Sequence, residues 1–417
     1  MRPALYLTLV LLSSVYLIEV ISRVLNLRSN RSAVIPSRVS PSDKGTVDQS
    51  RESDQARLNE YRYLRINTFL VLIQLTLNYL ATMIFLLSQP WAWLDSLVSK
   101  SDNSILLYPK LYLALSLGLT LLNLPFMLIK TFKIERDFGF SNYSLKLFIS
   151  DIIKSKVIEM VIALPLITLF IYLFKRYDTN SIIFIAFLTS VITLVFFKYS
   201  VRLFLTKFNK LTPLPEGTLR DSLEELTKRV DLPGSVISTM DASKRSSKAN
   251  AFFAGVGKSR YIVLFDTLLN ILSNEEVVAV MAHEISHYKN KHTLKAFIML
   301  QAGNIVAFTF FYLFLKYNLA TYFIKSANPS LLTEIILIYF ITSPFIFLSN
   351  VISNFVSRRF EHQADRDATN FAKGSDLINA LSKLNKQALS NSSPAKLFVT
   401  LYYTHPPLKD RAKHIGL

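Results

Sequence analysis

Cysteine is absent from all 417 residues. That excludes a disulfide framework, a thiolate metal site and a cysteine nucleophile. Any metal must be held by His, Asp or Glu. Histidine is itself scarce: the chain has six, His283, His287, His292, His362, His405 and His414. Acidic residues are few beside basic ones, 29 against 47, which leaves a net charge of +18. A basic balance of this size suggests a nucleic-acid partner. Its distribution, described next, excludes that reading. No internal repeat is found. No small-x-small cleavage site follows the first apolar run, where Ile18-Glu19-Val20-Ile21 stands, so that run is expected to be a retained span and not a signal peptide. No lysine-based or lumenal retention signal is visible at His414-Ile415-Gly416-Leu417.

What the chain has in abundance is apolar sequence, 51% of its residues, gathered into long runs. Seven of these approach the length of about 20 residues that crosses a bilayer: Ala4–Ile21, Ile66–Ser88, Leu111–Ile129, Val157–Phe174, Ile182–Phe197, Ala296–Leu315 and Leu332–Ile352. The fifth is the shortest. The stretch after the first run carries Arg23, Arg28, Arg31, Arg38, Lys44, Arg51, Arg57, Arg62 and Arg65, and the stretch after the third carries Lys133, Arg136, Lys146, Lys154 and Lys156. The stretch after the second has only Lys100 and Lys110. Basic residues therefore sit in alternate loops, the positive-inside pattern. It places the N-terminus outside and the C-terminal tail in the cytoplasm. The lipid bilayer, and no nucleic acid, is the expected partner of this surface. Residues 29–58 read as an exposed polar loop. Gln74, Asn123, Gln301 and other amides inside the runs are expected to bond between helices, and Glu159 to face a water-filled interior.

One short stretch proposes chemistry. His283-Glu284-Ile285-Ser286-His287 reads H-E-x-x-H. On a helix, positions i and i+4 share a face, so two imidazoles stand together and can share a Zn²⁺. Glu284 can then reach a zinc-bound water as general base. Ser273 and Glu276 are spaced as a capping box that would open this helix. Short strands are expected at Ser235–Met240 and Tyr261–Phe265, and a helix near Leu219–Val230.

A catalytic zinc site needs a third protein ligand and one open position. Glu361 and Asp365 are again i and i+4. Glu361 can ligate, and Asp365 can accept the free ring N–H of a ligand histidine. The plain alternative is a surface helix whose acids pair with Arg358, Arg359 and Arg366. His362 is the rival third ligand, but it lies about 100° around the helix from Glu361. It is assigned to a surrounding role, and His292 to the membrane interface. An oxyanion formed during peptide hydrolysis also needs a donor. His405 before Pro406-Pro407 is a candidate, and equally a plain turn residue.

These features together resemble CAAX prenyl protease 1, the type I family of integral-membrane zinc endopeptidases. The markers are Asp137-Phe138-Gly139-Phe140-Ser141, Asn250-Ala251-Phe252, Ile262–Leu268, His283–His287, Ser357–Asp365, and His405-Pro406-Pro407 through Arg411. The resemblance covers nearly the whole chain. It implies an all-α membrane protein: seven transmembrane helices enclosing a water-filled chamber, with a zincin-like, mainly helical metalloprotease domain carrying a small β element. It implies one Zn²⁺ per chain at the cytoplasmic end of the chamber, and His405 and Arg411 contacting the reacting carbonyl. It also implies that Asn250, Ala251 and Phe252 belong to an edge strand that pairs with substrate backbone. The expected partner is the C-terminal peptide of prenylated or other membrane-associated proteins. In a eukaryote the expected site is the endoplasmic reticulum membrane, in a bacterium the inner membrane. The chain divides as 1–197 (five membrane helices), 198–295 (zinc block), 296–352 (two membrane helices) and 353–417 (C-terminal block completing the site). Two departures stand out: His362 where Phe or Tyr is usual, and Arg366-Asp367 where small and apolar residues are more common. Other readings are a membrane-protein quality-control metalloprotease acting on non-prenylated substrates, and a catalytically silent scaffold. Seven spans argue against the first, and intact His283, Glu284, His287 and Glu361 against the second.

Overall fold

The structure, a computed structural model, describes residues 2–34, 47–101, 104–208, 211–256 and 259–417. Long apolar helices come first: α1 (Pro3–Val34), α2 (Val47–Ser88), a short α3 (Trp91–Ser99), α4 (Ser104–Leu128), α5 (Leu145–Tyr177) and α6 (Ser181–Phe208). A mixed block follows, with β1 (Leu211–Pro213), α7 (Thr218–Arg229), β2 (Val236–Met240), β3 (Ala251–Val256), β4 (Ser259–Phe265) and α8 (Asn274–Lys289). Two more apolar helices, α9 (His292–Lys316) and α10 (Leu331–Ala368), precede α11 (Gly374–Gln387), α12 (Lys396–Tyr402) and α13 (Leu408–His414). The chain is a mostly helical membrane protein.

Six stretches among the described residues are helical, long and apolar enough to cross a membrane. One of them, Leu145–Phe197, is 53 residues long, more than one crossing can use. It is two helices, α5 and α6, joined by the single 3₁₀ turn Asp178–Asn180, where Asp178 takes a left-handed φ of 51°. The fourth and fifth apolar runs of the sequence fall on its two arms. Gln301 Nε2 donates to Thr193 Oγ1 at 2.7 Å, and Phe197 meets Phe297 at 4.6 Å, so α9 runs antiparallel to α6.

The membrane helices bury little against one another: within the most apolar window of each stretch, between 0% and 17% of residues are buried, less than a packed core would bury. Polar groups pair between the helices. Gln74 Nε2 donates to Asn123 Oδ1 at 2.6 Å across α2 and α4. Glu159 on α5 accepts from Tyr112 at 2.8 Å and Lys156 at 2.6 Å. A cavity of about 680 Å³ opens beside them, between α4 and α5. Such groups are stable at membrane depth only when paired or wet.

The exposed loop expected over 29–58 is corrected. Helix α1 continues to Val34 and α2 begins at Val47; residues 35–46, with Arg38 and Lys44, lie outside the described residues. Asn30, read as solvated, is instead buried and donates through its amide nitrogen to Glu60 at 2.6 Å and to Asn391 at 2.7 Å, and Asn391 donates to Asn26 at 2.9 Å. This amide cluster ties the N-terminal helix to the C-terminal block.

The strands make one sheet of order β1-β2-β4-β3. Strands β2 and β4 are parallel; β1 and β3 pair antiparallel to their neighbours. The expected strands and the helix at Thr218–Arg229 are present. The core of this block is Leu223 and Leu226 of α7, Ile262 and Leu264 of β4, and Met281 and Ile285 of α8. Burying such side chains stabilises by about 1.5–3 kcal/mol each. Helix α8 is thereby fixed against the sheet on one side, leaving its other face for α10.

Candidate metal centre

Helix α8 opens as expected. Ser273 Oγ accepts from Glu276 N, and Glu276 Oε2 accepts from Ser273 N at 2.8 Å. Lys383 of α11 adds an ion pair to Glu276 at 2.8 Å. The next turns bury His283 and half-bury Glu284 and His287. Helix α10 is a single rod of 38 residues. Its start is held by Asp95, whose Oδ1 accepts from Ser330 N and from Thr333 Oγ1 at 2.9 and 2.6 Å. Its far end reaches past the apolar part and lays Glu361 and Asp365, both buried, against α8.

Ligand groups from three residues converge. His283 Nε2 and His287 Nε2 are 3.1 Å apart. Glu361 Oε2 is 3.4 Å from the first and Glu361 Oε1 is 3.3 Å from the second. A tetrahedral ion with arms of about 2.05 Å has edges of about 3.3 Å. These residues are the group that could hold a metal among the described residues. A second observation fits a cation. Glu361 Oε2 is fully buried and accepts no well-directed hydrogen bond, although His405 Nδ1, His283 Nε2 and Arg411 lie 2.9, 3.4 and 3.6 Å away. A carboxylate oxygen left this way is costly without a cation.

The surroundings orient the rings. Asp365 Oδ1 is 2.9 Å from His283 Nδ1, so Nδ1 keeps its proton and Nε2 is the nitrogen that gives up its own to offer a lone pair to a metal. Asp365 is wholly buried and also accepts two bonds from Arg411, from Nε at 2.8 Å and from the terminal nitrogen at 2.5 Å. In the metal-free centre, burial pulls the His283 pKa down, but hydrogen bonds to Asp365 and Glu361 outweigh it and push it up to about 9. Burial raises Glu284 above the usual carboxylate range, against the opposing pull of His283 and His287.

The remaining sequence-derived residues fall as follows. His405 stands at the mouth, its side chain 65% exposed, with Nδ1 2.9 Å from Glu361 Oε2. Arg411 lies at the centre, 3.6 Å from Glu361 Oε2. It is 6% exposed, bound to Asp365, and 3.4 Å from His283 Nδ1, the side of the ring away from the convergent nitrogens. Ala251 and Phe252 lie in β3, the edge strand, and Asn250 immediately precedes it, its carbonyl accepting from Phe265 N at 3.0 Å. Phe253 packs on Tyr288 of α8 at 4.9 Å, so the strand runs beside the metal helix. His362 does not join the ligand group; its ring meets His414 at 4.4 Å. His292 was placed at the membrane interface and is instead 3% exposed, 3.0 Å from His287 Nδ1. Asking what accepts the second ring N–H of each ligand histidine would have found it.

Apolar membrane helices around an H-E-x-x-H helix and a carboxylate from a second helix define a membrane metalloendopeptidase. Residues 213–416 match peptidase family M48, and residues 41–210 match the CAAX prenyl protease N-terminal family of five membrane helices. The CAAX prenyl protease 1 homologues of Mus musculus and Homo sapiens are each 34% identical, with 70% of either chain covered. CAAX prenyl protease 1 of Saccharomyces cerevisiae is 32% identical over 70% of this chain and 68% of its own. The crystal structure of S. mikatae Ste24p superposes with a TM-score of 0.81 at 26% identity, over 100% of this chain and 99% of that one. The chain belongs to the CAAX prenyl protease 1 family.

Proposed function

We propose that this chain is a zinc endopeptidase cleaving near the C-terminus of prenylated C-a-a-X proteins at a membrane. The observation that carries the chemistry is the convergence of His283 Nε2, His287 Nε2 and the two Glu361 carboxylate oxygens, at 3.1 to 3.4 Å. The substrate class rests on the names of the relatives. Zinc, when bound, supplies Lewis acidity to a peptide carbonyl and to water.

Glu284, one residue along α8 from His283, takes a proton from the attacking water and returns it to the leaving amine. Its raised pKa suits a group that must both take and give. His405, at the mouth, donates to the developing oxyanion. Arg411 holds Asp365, and Asp365 holds His283 in its ligating tautomer. The free edge of β3, starting at Asn250, adds the substrate as a further strand.

Seven crossings follow if both arms of the α5–α6 hairpin span. The division into membrane helices (1–197 and 296–352), zinc block (198–295) and C-terminal block (353–417) suits this count, although α10 runs through its last boundary. Basic loops next to the apolar helices support a centre on the cytoplasmic side, which in a eukaryotic cell would be the cytosolic face of the endoplasmic reticulum. The test is cleavage of a farnesylated C-a-a-X peptide beside its unprenylated twin. Preference for the farnesylated peptide supports the reading. Equal cleavage of both points to general turnover of membrane proteins.

A further inference from the structure

This inference rests on the metal-centre reading above. A metal held by His287 Nε2 needs the lone pair of that nitrogen, so the ring proton must sit on Nδ1. His287 Nδ1 is 3.0 Å from His292 Nδ1. Either nitrogen could be the donor, so this contact alone leaves the proton unassigned. The polarity is decided further out.

Asn290 Nδ2 lies 2.6 Å from Asp367 Oδ2 and 2.9 Å from Ser286 O. Both partners only accept, so the Asn290 amide must turn its nitrogen to them. Its oxygen then faces Gln363, whose Nε2 donates to it at 2.8 Å. Gln363 is left with its oxygen toward His292 Nε2, at 3.2 Å. Neutral His292 therefore carries its proton on Nε2, and its Nδ1 accepts from His287 Nδ1–H.

We propose that Asp367, acting through Asn290, Gln363 and His292, fixes His287 in the tautomer that ligates the metal. Every link is anchored. His292 is stacked flat on Phe360, with centroids 4.3 Å apart and planes 9° apart. Lys291 takes a left-handed φ of 54° between α8 and α9 and returns His292 over His287. Gln363 and Asp367 are i and i+4 on α10, one turn apart on one face. His283 is set by one carboxylate in direct contact; His287 is set by another at the end of a relay. Asp367 and Gln363 are positioning residues and touch no substrate.

The experiment is zinc affinity by chelator competition on the full-length protein in detergent, with thermal unfolding of the zinc-free protein beside it. Gln363 is exposed, so its substitutions leave the fold intact. Gln363→Met removes both polar atoms at similar length and should weaken zinc binding about tenfold, the lower end for partners beyond the ligands. Gln363→Glu keeps an acceptor for His292 Nε2–H and should stay within about threefold of wild type, with Asp367→Ala between the two. A charge effect alone would leave neutral Gln363→Met at wild-type affinity. That result, or wild-type affinity in Asp367→Ala, overturns the relay and leaves the metal centre standing. An affinity loss accompanied by an equal loss of unfolding temperature in Gln363→Met also overturns it, as a structural effect. Absence of zinc uptake by the wild type overturns both.

Discussion

Asp365→Asn separates the two tasks of one carboxylate. Asp365 is wholly buried, accepts from His283 Nδ1 at 2.9 Å and holds Arg411 by two bonds. The amide keeps the shape but has one acceptor oxygen for three donors. Whichever way it turns, an N–H faces an N–H, and the buried Arg411 guanidinium loses its countercharge. Breaking a buried ion pair at one partner costs about 3–5 kcal/mol of stability. Losing the oriented acceptor on a ligand histidine costs about 10- to 100-fold in metal affinity, or roughly 1.4–2.7 kcal/mol. Denaturant or thermal unfolding of the zinc-free protein reads the first, and chelator competition the second. The double variant Asp365→Asn/Arg411→Met should recover most of the stability, because no uncompensated charge remains. It should also recover much of the zinc affinity, because the amide oxygen, with no Arg411 donors left to meet, can turn to His283 Nδ1–H. If Asp365→Asn stays within about 1 kcal/mol of wild type, below the range for a broken buried pair, the buried-pair argument fails. If the double variant restores stability but leaves zinc affinity as low as in Asp365→Asn, the tautomer argument fails.

Glu284→Gln should keep zinc and lose nearly all hydrolysis, since the amide cannot take a proton; turnover within a few fold of wild type would sink the general-base role. Because burial holds the Glu284 carboxyl above its ordinary range, activity should fall with acidification through a midpoint above that of a free carboxylate, as kcat/KM against pH will read. His405→Ala should lower kcat by about 10²-fold with zinc content unchanged; loss of metal, or an effect on KM alone, would make it a ligand or a binding residue. Zinc uptake by the apo protein should be proton-coupled. With His283 raised to about 9 in the empty centre, its proton must leave at neutral pH, so affinity should climb by up to about tenfold per pH unit from 7 towards 9 and flatten above. A flat profile over that window would contradict the protonated resting state.

Periodicity exposed the ligands because each pair is local: His283 with His287, and Glu361 with Asp365, lie one turn apart on a helix. Their meeting across α8 and α10 was argued from chemistry, and the packing that brings it about is tertiary. Apolar length located the membrane helices, yet the hairpin at Asp178 had to be inferred from a gap of a few residues. What escaped was polar sequence with long-range partners. Asn30 read as loop because its partners, Glu60 and Asn391, are far along the chain. His292 read as interfacial because the left-handed turn at Lys291 that folds it back is not encoded by a glycine. The pairing of Arg411 with Asp365 escaped because it depends on where α13 docks.

The central claim is one zinc held by His283, His287 and Glu361. Metal analysis of purified wild type and Glu361→Ala tests it most directly. The account predicts one zinc per wild-type chain and clear loss in Glu361→Ala, with the variant still folded. Full zinc in Glu361→Ala would contradict it, and would move the search for the third ligand to His405, whose Nδ1 is 2.9 Å from the Glu361 carboxylate.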